Sequence, residues 1–339
     1  MSAPGRKLKI GVLGAAKIAP MALIEPARSF SDVQVAAVAA RDEMRAGQFA
    51  ARHAIPQRFA SYGALVADPH LDAIYNPLPN GLHGRWTAAA IEAGKHVLCE
   101  KPFAANASEA EHVAKLAHGQ GLVVMEAFHY RYHALTRRIQ EIMASGELGV
   151  IRHIEAWFCI PMLFANIRWE LPLAGGTLMD VGCYTIHLLR TLTGSEPIVR
   201  SAVAKLRSAG IDRWVRAELE FPGCAGAPPV TGAITASMLS WRLFSAGARI
   251  TGSEGTLLVS NPYAPQYFHR LTLKTRQGHR KERVAKQPSS YAAQLRVFAD
   301  AVLYGKPYPT DTADAVANMK VIDACYAAAG LPRREPSAG

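Results

Sequence analysis

Residues 8–19 read LKIGVLGAAKIA: a short, mostly apolar run, a glycine at Gly14, then small residues. A run this short that ends in glycine fits a buried strand. Gly14 permits a tight turn, and the small residues after it let backbone amides at a helix start face an anion. Strand, glycine and helix in that order are the context a G-x-G-x-x-G/A dinucleotide fingerprint requires. Its three positions fall on Gly14, Ala16 and Ala19, so a methyl group stands where the second glycine would be. Gly14, Ala16, Lys17 and Ile18 are the first candidate cofactor contacts.

Working outward, short apolar runs recur at VQVAAVAA (33–40), LDAIYNPL (71–78), KHVLCE (95–100) and LVVMEAF (122–128). Helical stretches separate them. One runs from Arg85 to Ala93 and stops at Gly94. Another is expected to begin at Ser108, with Glu111 completing a capping box. Alternating strands and helices predict an α/β fold whose doubly wound parallel sheet, a Rossmann domain over residues 1–128, is covered on both faces. Beyond Phe128 the pattern changes to a helix (134–149), a strand (150–160), a helix around 180–193, and strands at 211–221, 230–240, 247–259 and 267–275. A last helical region spans about 290–329, and the tail LPRREPSAG reads as frayed. Residues 129–339 are thus expected to form an α+β domain with a large, mostly antiparallel open sheet.

Composition narrows the function classes. The chain has 339 residues, half of them hydrophobic, and a formal charge of +11 from 38 basic and 27 acidic side chains. The basic residues are dispersed, and the densest cluster, RQGHRKERVAK (276–286), contains an acidic break and reads as a solvated hairpin. A nucleic-acid partner is not expected, whereas dispersed positive charge suits an anionic cofactor. The N-terminal stretch has no apolar signal core and no run approaches the ~18 apolar residues of a membrane span, so a soluble, cytoplasmic protein is expected. Five scattered cysteines without a C-x-x-C pair indicate neither disulfides nor a metal site.

Two further stretches carry chemistry. The second strand ends AAVAARD, placing Arg41 and then Asp42 where dinucleotide binders meet the adenosine ribose. A guanidinium there suits a 2′-phosphate. The alternative is an ordinary surface arginine. HVLCEKPF (96–103) finishes a buried strand with Glu100, Lys101 and Pro102. At the carboxyl edge of a doubly wound sheet, such a lysine can point into a ligand cleft, with Glu100 orienting it. In AGGTLMDVGCYTIHLLRTLTG (174–194), Asp180, Tyr184 and His187 are spaced i, i+4 and i+7 along one helical face. His187 alone could equally be a satisfied core histidine.

Together GVLGAAKIA, NPLPNGLH (76–83), AGKHVLCEKP (93–102), GGTLMDVGCY (175–184) and GSEGTLLV (252–259) resemble the glucose–fructose oxidoreductase/inositol dehydrogenase family, Gfo/Idh/MocA, over nearly the whole chain. The resemblance implies hydride exchange between a nicotinamide cofactor and a sugar, cyclitol or related diol. It implies that residues 129–339 bind substrate and form a homodimer or homotetramer through the open sheet. It makes Lys101 the active-site lysine, followed by a peptide that can be cis, and puts Pro79, Asn80, His83 and Glu100 near the nicotinamide ribose. Many members carry histidine four residues after the aspartate, where this chain has Tyr184. That variant is similar to the branch with dimeric dihydrodiol dehydrogenase, in which tyrosine is the acid/base, and this favours NADP(H) over NAD(H). His187 stands where many relatives have aspartate or asparagine.

The resulting expectation is a catalytic set of Lys101, Tyr184 and Asp180. A tyrosine with pKa near ~10 is too weakly acidic alone, and a neighbouring ammonium would lower it. His129, Arg168, Trp169, Asp180, Tyr184 and His187 are the expected substrate contacts, within MEAFHYRYHAL (125–135) and ANIRWE (165–170) and along the 180–187 face. The competing readings are a catalytically silent nucleotide-sensing regulator or scaffold of the same fold, and a hydrolase or isomerase that recycles its own cofactor.

Overall fold

The computed structural model describes residues 7–162, 166–223, 228–241 and 243–338; Cys224 and Ala165 lie outside them. The chain divides into two compact units. The first runs to His129 and also takes Tyr291–Val316 and the chain end from Pro336. The second takes Tyr130–Ser290 and Ala317–Glu335.

The first unit is a parallel sheet of β1 (Leu8–Leu13), β2 (Val33–Ala39), β3 (Gln57–Phe59), β4 (Ala73–Asn76), β5 (His96–Cys99) and β6 (Val124–Glu126). Its strand order is β3-β2-β1-β4-β5-β6, the doubly wound arrangement with β1 and β4 flanking the switch point. The strands are nearly continuous apolar runs because helices cover both faces. β3 has no such pattern. Gln57 and Arg58 are exposed, and this strand exists only through its pairing with the last residues of β2.

Helices α1 (Glu25–Arg28), α2 (Glu43–His53), α3 (Tyr62–Val66), α4 (His83–Glu92) and α5 (Ala107–Ala117) connect the strands, with a π-turn at Pro20–Ile24 leading into α1. The start of α5 differs from the expected cap at Ser108. Asn106 is the N-cap, accepting from the Glu109 amide at 2.9 Å, while the Glu109 carboxylate reaches back to the Ala105 amide at 2.7 Å. The box is real but displaced by two residues, because Asn106 adopts the extended cap conformation that Ser108, inside the helix, lacks. The outer edge of β6 is closed by residues from much later in the chain. The Glu126 amide donates to the Thr310 carbonyl at 2.9 Å and the Tyr308 hydroxyl accepts from the Val124 amide at 3.1 Å.

The second unit is built on an eight-stranded sheet of β7 (Ile151–Cys159), β8 (Ile198–Ser208), β9 (Ile211–Phe221), β10 (Val230–Ser237), β11 (Ser245–Gly252), β12 (Gly255–Ser260), β13 (Arg270–Thr275) and β14 (Gly278–Glu282). The order is β14-β13-β12-β11-β7-β10-β9-β8, antiparallel except for the β7–β10 pair. Residues 247–259 form two strands turned at Ser253–Glu254 rather than one. α6 (Ala134–Ala144) precedes β7, and α7 (Cys183–Thr193) packs on β7 and β10. On the other face of β7 and β11, Arg249 pairs with Glu155 at 2.6 Å and lies over Trp157. α8 (Ser290–Tyr304) and α9 (Thr312–Ala328) follow β14. The basic cluster is the β13–β14 hairpin, where Arg280 pairs with Glu147 and Glu282, so it is a solvated edge as its composition suggests. No described helix is long and apolar enough to cross a membrane.

One backbone position invites a stability test. Ala54, exposed and just after α2, sits in the left-handed region at φ 56. A Cβ there costs roughly 1 kcal/mol or more, part of which glycine returns as unfolded-chain entropy. Ala54→Gly is expected to stabilise the protein by about 0.5 kcal/mol, read as a higher urea midpoint; a lower midpoint would contradict the assignment.

Candidate active site

In the first unit the candidate residues all follow strand ends. Gly14 closes β1 at φ +85, and its amide donates to the Ala39 carbonyl at 2.7 Å. A Cβ at that position would stand 3.1 Å from Leu78, so the turn is packed as well as bent. Ala15, Ala16 and Ile18 are half-buried and Lys17 is exposed, which leaves the loop backbone open between β1 and the Pro20 turn.

The end of β2 resolves the roles of Arg41 and Asp42. Asp42 is the N-cap of α2, its carboxylate accepting from the Arg45 amide at 2.8 Å. One carboxylate oxygen is engaged in this cap, and Asp42 and Arg41 are both exposed. Arg45, four residues on, reaches back to the Ala15 carbonyl of the loop at 3.3 Å. Both arginines act on Tyr62, whose pKa is raised by burial and pulled back by the two cations. Arg45 and Tyr62 were not predicted; the i+4 spacing from Arg41 was the available signal. The packed turn at Gly14 and the two guanidiniums fit the diphosphate and 2′-phosphate of an NADP-type nucleotide.

Behind β4, Asn76 is fully buried, donating to the His83 carbonyl at 3.0 Å and to Thr87 at 3.2 Å. Pro79 and Asn80, half-buried, open the short 3-10 turn into α4. His83 is buried with its two ring nitrogens each 2.6 Å from a carbonyl, Leu78 on one side and Pro102 on the other. It is packed between the turn after β4 and the turn after β5, and as a neutral ring it donates to one of the two carbonyls. Burial pushes its pKa down to about 4; the two carbonyls oppose this and the Lys101 ammonium adds to it.

The turn after β5 holds Glu100, Lys101 and a cis Lys101–Pro102 peptide. Glu100 is buried and accepts from the Tyr75 hydroxyl at 2.8 Å. Burial, and then the Glu100 charge, hold Tyr75 well above the ordinary phenol range, so it remains the donor. A hydrogen bond to a charged group is worth about 1.5–3 kcal/mol. Tyr75 therefore fixes the residue that precedes Lys101, and Lys101 itself is half-exposed. His129, after β6, is buried against Tyr291, with ring centroids 3.9 Å apart and the ring planes tilted by 32°.

In the second unit, Asp180 lies in a π-turn, Leu178–Gly182, that runs directly into α7. The expected single α-helical stripe therefore holds only from Cys183 onward. Asp180 is buried and bonded to Arg168 Nε at 2.7 Å, while Arg168 also reaches Asn166. Tyr184, in the first turn of α7, is packed among Phe158, Tyr130 and Tyr263 at ring distances of 5.7, 6.1 and 5.8 Å. His187 is buried with Nδ1 2.5 Å from the Tyr130 hydroxyl. Trp169 is not a free contact: it is buried among Val181, Ile211, Ala236 and Met238, with the Arg207 guanidinium over its ring at 4.7 Å. Tyr130 lies in the MEAFHYRYHAL stretch, in the 3-10 turn His129–Tyr132, but was not singled out there; Tyr263, single in a loop, was missed. Among the described residues no cluster could hold a metal ion.

Comparison with known proteins agrees with this architecture. Residues 8–128 match the model of an oxidoreductase family with an NAD-binding Rossmann fold, and residues 136–258 match the GFO/IDH/MocA C-terminal domain. The chain is 36% identical over 327 residues to a D-xylose 1-dehydrogenase (NADP(+)) of Haloferax volcanii, covering 95% of this chain and 97% of the other. It is 32% identical to trans-1,2-dihydrobenzene-1,2-diol dehydrogenase of Macaca fascicularis over 68% of each chain. A 3-ketoreductase from Actinomadura kijaniata, solved with NADP and TDP-benzene, superposes with a TM-score of 0.86 at 27% identity, covering 95% of this chain and 98% of that one.

The buried histidine gives a pH prediction. An imidazole near 6.5 when unfolded and held at about 4 when folded favours the neutral ring in the native state. Its stabilising contribution is present above pH ~6.5 and is lost as pH falls toward ~4. Urea midpoints of wild type should drop across that window. A His83→Asn variant, although less stable at pH 7, should show a shallower drop; equal slopes would show that another group titrates.

Proposed function

Since the chain belongs to the Gfo/Idh/MocA oxidoreductase family, we propose that it is an NADP(H)-dependent oxidoreductase acting on CH–OH groups of a sugar, cyclitol or trans-dihydrodiol. The observation that carries this reading is the pair of arginines after β2. Arg41 and Arg45 are both exposed there, and Arg45 reaches the Ala15 carbonyl of the loop after β1. Two guanidiniums attract a 2′-phosphate and outweigh the single carboxylate of Asp42, which caps α2. NAD(H) is the weaker alternative. The naming of the Haloferax relative and the NADP complex of the ketoreductase support the same choice.

The nicotinamide, when bound, supplies or accepts the hydride. Tyr184 takes the proton of the substrate hydroxyl in oxidation and returns it in reduction. Its aromatic surroundings exclude water and leave the phenol dependent on a nearby cation to ionise. Lys101 steadies the negative charge that develops on the substrate oxygen. Glu100, braced by Tyr75, holds the lysine's turn. Asp180, paired with Arg168, orders substrate hydroxyls rather than shuttling the proton. His187 supports Tyr184's neighbour Tyr130 and is a wall of the substrate site rather than an acid. An aldose is the favoured substrate class, given the xylose dehydrogenase relative.

The exposed face of the second unit's sheet, which carries Trp157, Glu155 and Arg249, is the surface through which a homodimer or homotetramer forms. Its two outer strands favour a face over an edge: three of the five residues of β14 are charged, and β8 pairs irregularly with β9. Charges and bulges at an edge oppose strand-to-strand growth.

Cofactor titration and kinetics test the reading. NADPH should bind more tightly than NADH, and Arg41→Ala or Arg45→Ala should weaken NADPH by about tenfold or more while changing NADH little. Tyr184→Phe should lower kcat by about 10²–10⁴ with D-xylose and NADP+, leaving NADPH affinity unchanged, and Lys101→Met should act in the same direction. Equal affinities for both cofactors would overturn the Arg41 assignment. A Tyr184→Phe enzyme with full turnover would remove the acid/base role.

A further inference from the structure

Arg334 belongs to the tail LPRREPSAG, read from sequence as frayed, yet its side chain is fully buried. Nη2 donates to Asp212 Oδ1 at 2.6 Å, Nε to the Gly175 carbonyl at 2.7 Å and Nη1 to the Pro332 carbonyl at 3.3 Å. The Tyr326 ring lies 4.2 Å from its guanidinium carbon. Asp212, on β9 and equally buried, also accepts from the Tyr326 hydroxyl at 3.1 Å and from the Leu178 amide at 2.7 Å. Burial raises its carboxyl, while Arg334, the Leu178 amide and Tyr326 oppose that rise.

The pair therefore grips one short turn by two backbone groups, the carbonyl of Gly175 and the amide of Leu178. Gly176 lies between these two groups at φ +127. A Cβ on it would stand 2.2 Å from Asp212 Oδ1 and 2.8 Å from Arg334 Nη2. From this turn the Gly176 amide reaches the Arg168 carbonyl at 2.8 Å, and the Asp180 amide reaches the Gly176 carbonyl at 3.1 Å. Arg168 in turn holds the Asp180 carboxylate. A buried ion pair is seldom more stabilising than apolar side chains of the same volume. Apolar side chains would secure the tail, but they could not hold a carbonyl and an amide at once.

We propose that the Arg334–Asp212 pair is a positioning device for the acid/base of this enzyme. It sets the Gly175–Leu178 turn, and through it the π-turn and first turn of α7 on which Asp180 and Tyr184 stand. Neither side chain is a catalytic residue. The inference rests on the role given to Tyr184 above, and its test is chosen so that the two can fail separately.

The test compares wild type, Arg334→Lys, Arg334→Ala and the double variant Asp212→Asn/Arg334→Met, which removes both charges and so avoids an uncompensated one. Hydrogen exchange of peptides spanning 175–184 scores the clamp without reference to activity. In the double variant it should speed by about tenfold or more while the six parallel strands are unchanged. Kinetics with D-xylose and NADP+ should show kcat down about tenfold or more, with KM and NADPH affinity changed less than about threefold. Arg334→Lys should fall between wild type and the double variant. About 50 mM guanidinium should restore part of kcat to Arg334→Ala, which a merely loosened fold would not show. Unchanged exchange over 175–184, or a double variant with wild-type kcat, overturns the proposal. If Tyr184→Phe keeps full activity or D-xylose is not oxidised, the acid/base or substrate reading fails and exchange alone decides the clamp.

Discussion

Parallel pairing is the constraint on which the first unit depends. When β1, β2, β4, β5 and β6 run the same way in register, their carboxyl ends fall on one edge of the sheet. Gly14, Arg41, Asn80, Lys101 and His129 each sit one to four positions past a strand. The backbone places them, and Arg41 and Lys101 lie outside the core and carry charge there. His83 is packed between two of these turns, the one after β4 and the one after β5.

The second unit solves a different problem. It has no row of parallel strand ends, and its candidate groups stand instead on one helix and the turn before it. The buried Arg334–Asp212 pair, Gly176 and the Arg168–Asp180 pair together make that turn rigid. Removing one partner of such a buried pair costs about 3–5 kcal/mol, whereas the half-exposed Arg168–Asp180 pair is worth less because solvent screens Arg168. The two pairs thus differ in kind: one holds backbone, the other sets the direction of a carboxylate.

Much of this was legible in the sequence because period and punctuation are local. The apolar runs, Gly14 and Gly94 announce a doubly wound sheet, whereas the Asp180–Tyr184 spacing announces one helix where a π-turn precedes α7. What escaped notice had no local signature. β3 is three residues held only by a neighbour, and β8 is a mostly exposed edge strand. Arg334 lies in a stretch whose composition is that of a loose end, and only Asp212, 122 residues earlier, reveals its place. The packing of Trp169 had no local signature either: the four apolar residues around it come from three separate segments. The π-turn at Leu178–Gly182 leaves no trace in composition, since one extra residue in a helical turn changes no residue type.

The closure of β6 by Tyr308 and Thr310 also bears on how the protein is made. The parallel sheet is encoded in the first 126 residues, but the partner that covers its outer edge lies 184 residues further on. At synthesis rates of ~5–20 residues per second, that edge emerges from the ribosome roughly 10 to 40 seconds before its cover. During that interval the nascent chain carries the six strands without the segment that closes the β6 edge. The sequence keeps that side short: β6 is three residues long.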